Sequence, residues 1–281
     1  MSNKSHIGIL FFVLIGMVPF AAAFGYSLLY SFGIIGVVND GFTLEFWAEV
    51  FRSGAFLDAL IYSVTIALIS VFISVTAALW FTLKFQKKLR GKIVSFMIYL
   101  PLAIPGIVAA FFTVQILSKS GLFSRFSYLL GFTSGITDFP DLINDQYAIG
   151  IILVLISVVM PFFVLLFLNV YDNERLDQLT ELARSLGASN SQTIWRVSLP
   201  VILRKTWTLI ALYFIFLLGA YEVPLILGQE SPQMLSVLIV RELKQFDLTK
   251  ISEGYVVAVM YTILVSIATI LLFSKRSTEN G

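Results

Sequence analysis

Six long apolar runs, each nearly free of charged residues, constrain this chain more than any other feature. They lie at residues 7–30, 57–83, 93–117, 147–170, 207–227 and 254–273. A helix needs about 20 apolar residues to cross the hydrocarbon core of a bilayer, and each run is long enough. Hydrophobic residues make up 58% of the 281 residues, more than a soluble core can bury. The sequence therefore predicts an all-α integral membrane protein, a single domain of six transmembrane helices solvated by the lipid bilayer.

The first run has a second interpretation, because an apolar core followed by small residues is typical of a cleavable signal peptide. Ala21, Ala22 and Ala23 resemble such a cleavage site. Against this interpretation, the chain stays apolar beyond the alanines, through Phe24 and Leu28. We therefore favour an uncleaved first transmembrane helix over a signal peptide.

The distribution of charge between the runs predicts the orientation of the chain. The link between the second and third runs holds a dense group of bases: Lys84, Lys87, Lys88, Arg90 and Lys92. Bases that flank membrane helices mark the cytoplasmic side, whereas the links at residues 31–56 and 118–146 hold mostly acids. The alternation places both termini and residues 171–206 in the cytoplasm. In this position the basic group indicates topology and no nucleic-acid partner.

The composition excludes several kinds of chemistry. There is no cysteine, so disulfides, thiolate metal sites and cysteine nucleophiles are excluded. His6 is the only histidine, which leaves no imidazole pair for catalysis or metal binding. No phosphate-binding G-x-x-x-x-G-K-[ST] motif, H-E-x-x-H motif or G-x-S-x-G motif occurs. We therefore expect no enzymatic site, cofactor or metal in this chain, and if ATP drives it, another chain must hydrolyse the ATP.

The third and fifth predicted transmembrane helices contain prolines that can bend or break them. Pro101 and Pro105 interrupt the third run, and Pro224 follows Tyr221 and the acid Glu222 in the fifth run. Prolines remove backbone donors, and in transporters broken helices tend to lie beside the transport path. A carboxylate at membrane depth is costly and is therefore a candidate functional group. These five residues are the candidates for a substrate path. The alternatives are packing kinks and a glutamate that reaches interfacial water or pairs with a neighbouring helix.

The one long polar segment, between the fourth and fifth runs, contains two helix patterns separated by a break. Apolar residues in the first pattern recur at three- and four-residue spacing: Leu176, Leu179, Leu182, Ala183 and Leu186. Gly187 is then a natural left-handed stop. Ser189 and Gln192 have the spacing of a capping box that starts a second helix, which we expect to end in a turn at Leu199-Pro200. The pattern alone is equally compatible with a projecting knob and with an amphipathic loop on the membrane surface.

Residues of this segment also keep a specific spacing over twenty positions: Glu181, Leu182, Ala183, Gly187, Val197, Leu199 and Pro200. They resemble the EAA loop of inner-membrane permease subunits of binding-protein-dependent ABC importers. The pattern of that family is E-A-A, three residues, G, nine residues and I-x-L-P. Leu182 replaces the first alanine and Val197 replaces the isoleucine, and both changes are mild apolar ones.

The resemblance extends over most of the chain and implies a larger assembly. In the family this coupling loop, here residues 171–206, forms a coupling helix that sits in a groove of a cytoplasmic ATPase subunit. A second permease, identical or homologous, pairs with the first in the bacterial inner membrane, and an extracytoplasmic binding protein delivers the solute. Glu181, Ala183 and Gly187 are then expected to carry the coupling. The outer links at residues 118–146 and 228–253 are the expected contacts for the binding protein.

A shorter pattern in the fifth run indicates a substrate class: Gly219, Tyr221, Pro224, Leu227 and Gly228. It looks like the corresponding region of permeases in the spermidine/putrescine-type branch, and Glu222 would suit a cationic amine such as a polyamine. The branch includes permeases for other solutes, among them thiamine, iron, sulfate or molybdate, and phosphonate. The rival function is a secondary transporter driven by an ion gradient. Such a transporter usually shows internal repeats and several intramembrane ionisable residues, whereas this chain has one such acid and no convincing repeat.

Overall fold

The computed structural model describes residue 8, residues 10–37, residue 39 and residues 41–279, with side chains as far as residue 274. The predicted start of the first span at residue 7 and the lone histidine, His6, lie outside the described residues. The described part of the chain is helical and contains no strand. Six of its helical segments are long and apolar enough to cross a membrane: Leu10–Ser31, Ala55–Leu89, Gly106–Leu129, Ile149–Asn173, Asn190–Leu218 and Leu248–Ser274. The predicted all-α class with six membrane helices is confirmed, and the cytoplasmic placement of both termini stays a prediction.

The helices follow one another in this order: α1 (Leu10–Ser31), α2 (Glu45–Ser53), α3 (Ala55–Leu89), α4 (Lys92–Leu102), α5 (Gly106–Leu117), α6 (Leu122–Leu129), α7 (Ile149–Asn173), α8 (Leu176–Ser185), α9 (Asn190–Leu218), α10 (Glu222–Leu227), α11 (Leu235–Leu243) and α12 (Leu248–Glu279). A 3-10 turn lies at Ile136–Asp138. The chain divides into two compact units. One unit comprises the described residues up to Leu60 together with those from Leu235 onward, and the other comprises Ile61–Met234.

The first unit is built around α12, against which α1, α2 and α11 pack. Its core consists of buried apolar side chains: Val50, Phe56, Ala59, Leu235, Leu238, Val256 and Val257. At the end of α1 the ring of Tyr30 stacks on the ring of Tyr255 in α12, with 4.2 Å between ring centroids. None of the site residues predicted from the sequence belongs to this unit.

The second unit is built around α7, which packs against α4, α5, α8, α9 and α10. The buried residues of α7 recur at three- and four-residue spacing along the helix: Ile151, Val154, Val159, Phe163, Phe167 and Tyr171. The ring of Phe163 lies 5.2 Å from the ring of Tyr213 in α9. Because lipid is as apolar as these side chains, their stabilising contribution comes from close packing and not from removal from water.

Several helices extend beyond the predicted spans, since a helix does not end where the hydrocarbon does. α3 continues to Leu89, through part of the basic link, although its predicted span ends at residue 83. α12 begins at Leu248, before the predicted start at residue 254. α9 begins at Asn190, far ahead of the predicted start at residue 207. The second half of the coupling loop is therefore part of the same helix as the fifth span.

The turn expected at Leu199-Pro200 is wrong, because the helix runs straight through this pair. Ser198 and Leu199 both keep right-handed helical backbone angles. The N–H of Leu199 donates to the carbonyl oxygen of Ile194, five residues earlier, so residues Ile194–Ser198 form a widened π-turn. Proline lacks a backbone donor, and its ring collides with the preceding turn of a regular α-helix. The widened turn leaves room for the ring of Pro200, so the helix can continue.

Candidate functional site

The first helix of the coupling loop ends in a motif that depends on glycine. The N–H of Ala188 donates to the carbonyl oxygen of Ala183 at 3.0 Å, and that of Gly187 donates to Arg184 at 2.9 Å. These two bonds form a Schellman motif. Gly187 has a φ of +87°, which glycine adopts readily because it has no Cβ. The stop predicted at Gly187 is confirmed.

The second helix begins with the predicted capping box. The backbone N–H of Gln192 donates to Ser189 Oγ at 3.3 Å, and the N–H of Ser189 donates to Gln192 Oε1 at 2.9 Å. Upstream, α7 ends at Asn173 and α8 begins at Leu176 after Arg175, which has a φ of +49°. Residues close in sequence therefore define the corner between α7 and α8 and the corner between α8 and α9. At the second corner α8 and α9 form a helix–turn–helix.

The apolar residues of α8 become more exposed along the helix. Their exposed fractions rise in sequence order: Leu176 0%, Leu179 41%, Leu182 59% and Leu186 82%. Leu176 belongs to the core of the second unit, whereas Leu179, Leu182 and Leu186 form a row on the surface that we call the exposed leucine row. Glu181 is exposed beside this row and Ala183 is half-buried.

The second part of the motif is placed differently from the first. Val197 and Leu199 are half-buried along α9, and Pro200 is exposed after the π-turn. These residues shape the helix that supports the coupling loop. The acid, alanine and glycine of the motif are the part that lies near the exposed leucine row.

The predicted helix breaks in the third and fifth spans are both present. α4 ends at Leu102, Pro105 adopts extended backbone angles, and α5 begins at Gly106. Pro101 is tolerated inside the last turn of α4, one residue before its end. In the fifth span, α9 ends at Leu218 and α10 begins at Glu222. Pro224 lies in the first turn of α10, where a missing backbone donor has no consequence.

The two breaks meet, and Glu222 joins them. The backbone N–H of Ile107, in the first turn of α5, donates to Glu222 Oε2 at 3.2 Å. A carboxylate at this position satisfies one of the donors that a helix N-terminus leaves unpaired, and it complements the positive end of the helix dipole. Val223 packs beside it, since a Cβ placed on Gly106 would lie 3.5 Å from Val223 Cγ2. The candidate path residues Pro105 and Glu222 thus belong to one local structure.

The predicted topology would put this junction inside the hydrocarbon layer, provided that α4 runs along the membrane normal. The 11 residues of α4 start at the basic link and rise about 16 Å at 1.5 Å per residue. The core of a bilayer is about 30 Å thick, so the N-terminus of α5 comes near its middle. Glu222 is nevertheless exposed on the surface of the chain, and Tyr221 next to it is half-buried. The part of the chain that the structure describes contains no cluster of acids, histidines or cysteines that could hold a metal ion.

Sequence reasoning found Glu222 but not its partner. Ile107 was missed, because a backbone N–H has no signature of its own in a sequence. The available signal was Pro105, which predicts that a helix starts just after it and leaves unpaired donors there. Arg90 was assigned only to the basic link, and its contacts within the second unit were not foreseen.

The pattern glycine Gly228 has a packing role that leads to a prediction. A Cβ on Gly228 would lie 2.4 Å from the carbonyl oxygen of Pro224, which also accepts the N–H of Gly228 at 2.8 Å. We expect Gly228→Ala to destabilise the protein by about 1–3 kcal/mol through overpacking. Gly106→Ala, whose Cβ would make only ordinary contacts, is the matched control. The thermal unfolding temperatures of both variants in detergent test this, and equal temperatures would contradict it.

A family model described as a binding-protein-dependent transport system inner membrane component matches residues 41–274. The probable sulfate transport system permease protein cysT of Chlorokybus atmophyticus is 28% identical over 248 residues, which cover 85% of this chain and 79% of that protein. The sulfate transport system permease protein CysT of Synechocystis sp. is 28% identical over 184 residues, which cover 64% of this chain and 58% of that protein.

A solved structure is also similar, that of a bacterial alginate ABC transporter in complex with an alginate pentasaccharide-bound periplasmic protein. A chain of that transporter matches with a TM-score of 0.71 and 18% identity, over 96% of this chain and 91% of that chain. At this level of identity the likeness concerns the fold alone.

Proposed function

Because the chain belongs to the family of inner membrane components of binding-protein-dependent transport systems, we propose that its coupling loop docks on a partner ATPase through Glu181, Leu182, Ala183 and Gly187. The chain is the permease subunit of an ABC importer and a multi-pass membrane protein. It is a transport subunit and not an enzyme, and ATP is hydrolysed by a separate ATPase.

The single observation that carries the docking proposal is the exposed leucine row. Leu182 lies on α8 and Leu186 directly follows it, and both are more than half exposed. The charge pattern predicts that this helix lies outside the bilayer. A contiguous row of large apolar side chains in water is costly, and such patches mark surfaces that bind another protein. Gly187 follows the row directly and leaves open space around its Cα, since a Cβ there would have no atom within 4 Å. A partner backbone can approach closely at that point.

We further propose that the junction of the two helix breaks lines the solute path. Placing a charged side chain against lipid hydrocarbon has a high free-energy cost. Glu222 is exposed, and the predicted topology puts it at membrane depth. The surface that carries it must therefore face water or protein, as it would along a path shared with a second permease, identical or homologous. Tyr221, Pro224, Pro101 and Pro105 flank the same two breaks and complete the candidate path.

For the solute, we propose a small polar cation such as a polyamine. Glu222 supplies a negative charge at the junction, and the N-terminus of α5 already has a carboxylate as its partner. An oxyanion entering here would meet that carboxylate and be repelled. The second candidate is a sulfate-like oxyanion, which the names of the two sulfate permeases favour. A binding protein is expected to deliver the solute to the outer links at residues 118–146 and 228–253.

Purification of the tagged chain from its native membranes in mild detergent tests these proposals. We expect a P-loop ATPase to co-purify in nearly equal amount, together with any second permease. Loss of the ATPase on replacing Glu181 and Gly187 together would support docking through the coupling loop, and its retention would contradict it. Uptake of radiolabelled spermidine against radiolabelled sulfate by vesicles that contain the complex then distinguishes the two solute classes.

A further inference from the structure

Arg90 lies in the turn between α3 and α4 and meets three groups at the corner between α7 and α8. Its Nη2 donates to Asp172 Oδ1 in the last turn of α7. Its Nη1 lies 4.0 Å from Asp177 Oδ2 in the first turn of α8. The centre of its guanidinium group lies 6.0 Å from the centre of the Tyr171 ring. One side chain therefore contacts both helices that form this corner.

Tyr171 Oη donates to Asp177 Oδ1 at 3.1 Å and so joins α7 to α8, but the corner also holds charge repulsion and backbone strain. Asp172 and Asp177 place two negative charges around the same guanidinium, and without a cation between them they would repel each other. Arg175, which links the two helices, holds a φ of +49°, a region that disfavours residues with a Cβ. An arginine suits position 90, because its planar guanidinium can donate to the carboxylates of Asp172 and Asp177 at once while it lies over the ring of Tyr171. Each exposed ion pair alone would contribute little to stability. The three contacts share the guanidinium group of Arg90, so its replacement removes all of them together.

The same arginine lies at the base of the helix that leads to the substrate path. α4 begins at Lys92, two residues after Arg90, and packs along α7. It ends at Leu102, just before the break where Ile107 donates to Glu222. α4 is a continuous helix of 11 residues that lacks only the backbone donor of Pro101 near its end, so a displacement at its base can reach the break.

We propose that Arg90 is the positioning residue that makes α4 follow the coupling helix α8 when the ATPase subunits close. This proposal rests on the proposed docking of the coupling loop. Lys205 offers a matched comparison, since its Nζ lies 2.8 Å from Glu174 Oε1 and this ion pair joins α9 to the same corner. Its removal deletes an ion pair of similar exposure without touching the turn before α4.

The test uses the importer purified together with its ATPase and placed in lipid nanodiscs. Amide hydrogen exchange of residues 92–102 is measured without nucleotide and with ATP trapped by vanadate. We expect trapping to change the exchange of these residues in the wild type and in Lys205→Gln. In Arg90→Gln and Arg90→Glu the nucleotide-dependent change falls at least threefold. Arg90→Lys, which keeps a cation between Asp172 and Asp177, retains at least half of the change seen in the wild type.

The possible outcomes separate this proposal from the docking proposal. A wild-type chain that purifies without an ATPase would overturn both proposals. An ATPase that remains bound to every variant, with the nucleotide-dependent change intact in Arg90→Gln, would overturn the role of Arg90 alone. A variant Arg90→Glu that folds, binds the ATPase and keeps the full change would also overturn it, because a carboxylate at position 90 would repel Asp172 and Asp177.

Discussion

Replacing Gly187 with arginine is expected to lower ATP-driven uptake at least about thirtyfold while the permease stays folded. The space around Gly187 is open, so the new side chain meets no atom of its own chain. Its cost to folding is the strain of a Cβ at a φ of +87°, about 1 kcal/mol. Its cost to docking is larger, because a charge buried without a partner in an interface costs about 2–5 kcal/mol of binding.

The measurement is uptake by vesicles containing the complex, together with the amount of co-purifying ATPase. Gly54→Arg is the matched control, since Gly54 ends α2 with a φ of +71° and also has no atom within 4 Å of a Cβ. Its local strain is the same, but it lies outside the coupling loop. Equal losses in the two variants would mean that strain and not docking is responsible. Undiminished uptake by Gly187→Arg would remove Gly187 from the docking surface.

Replacing Glu222 with leucine is expected to lower uptake roughly tenfold or more. The substitution removes the acceptor of the Ile107 N–H and the charge that complements the N-terminus of α5. At an exposed helix N-terminus such a charge contributes about 0.3–1 kcal/mol, a factor of about two to five, and the remaining loss of uptake comes from the missing negative charge for a cationic solute. The first turn of α5 should therefore loosen, and its amide exchange at residues 106–109 should rise.

Glu222→Gln separates the two roles of this side chain. Glutamine keeps an oxygen that can accept the Ile107 N–H, but it carries no charge. If the charge selects a cationic solute, the amides of residues 106–109 should exchange in Glu222→Gln almost as slowly as in the wild type. The same variant should still lose most of the uptake. Glu45→Leu, a change at an exposed acid of α2, is the control for the loss of a surface carboxylate. Normal uptake by Glu222→Leu would contradict any role for Glu222 in the path.

The coupling loop shows how much local sequence can predict. The Schellman motif at Gly187 and the capping box at Ser189 both join residues no more than five positions apart. Bonds of this range follow from the residue types themselves, so spacing is enough to find them. The prediction of a turn at Leu199-Pro200 was wrong for a related reason. A proline predicts that a regular α-helix cannot continue, but it does not exclude the π-turn that accommodates it.

The apolar runs, the charge alternation and the motif spacing are properties of the sequence alone, and they predicted a six-helix permease with a coupling loop. They suffice because the thickness of the bilayer sets the length of every membrane helix, and because each helix cap depends on residues close in sequence. The contact of Ile107 with Glu222 joins residues 115 positions apart, and that of Arg90 with Asp172 joins residues 82 positions apart. Only the packing of α4, α5 and α10 around α7 brings these groups together. Such pairings depend on which helix faces are in contact, and periodicity within one helix does not determine that choice.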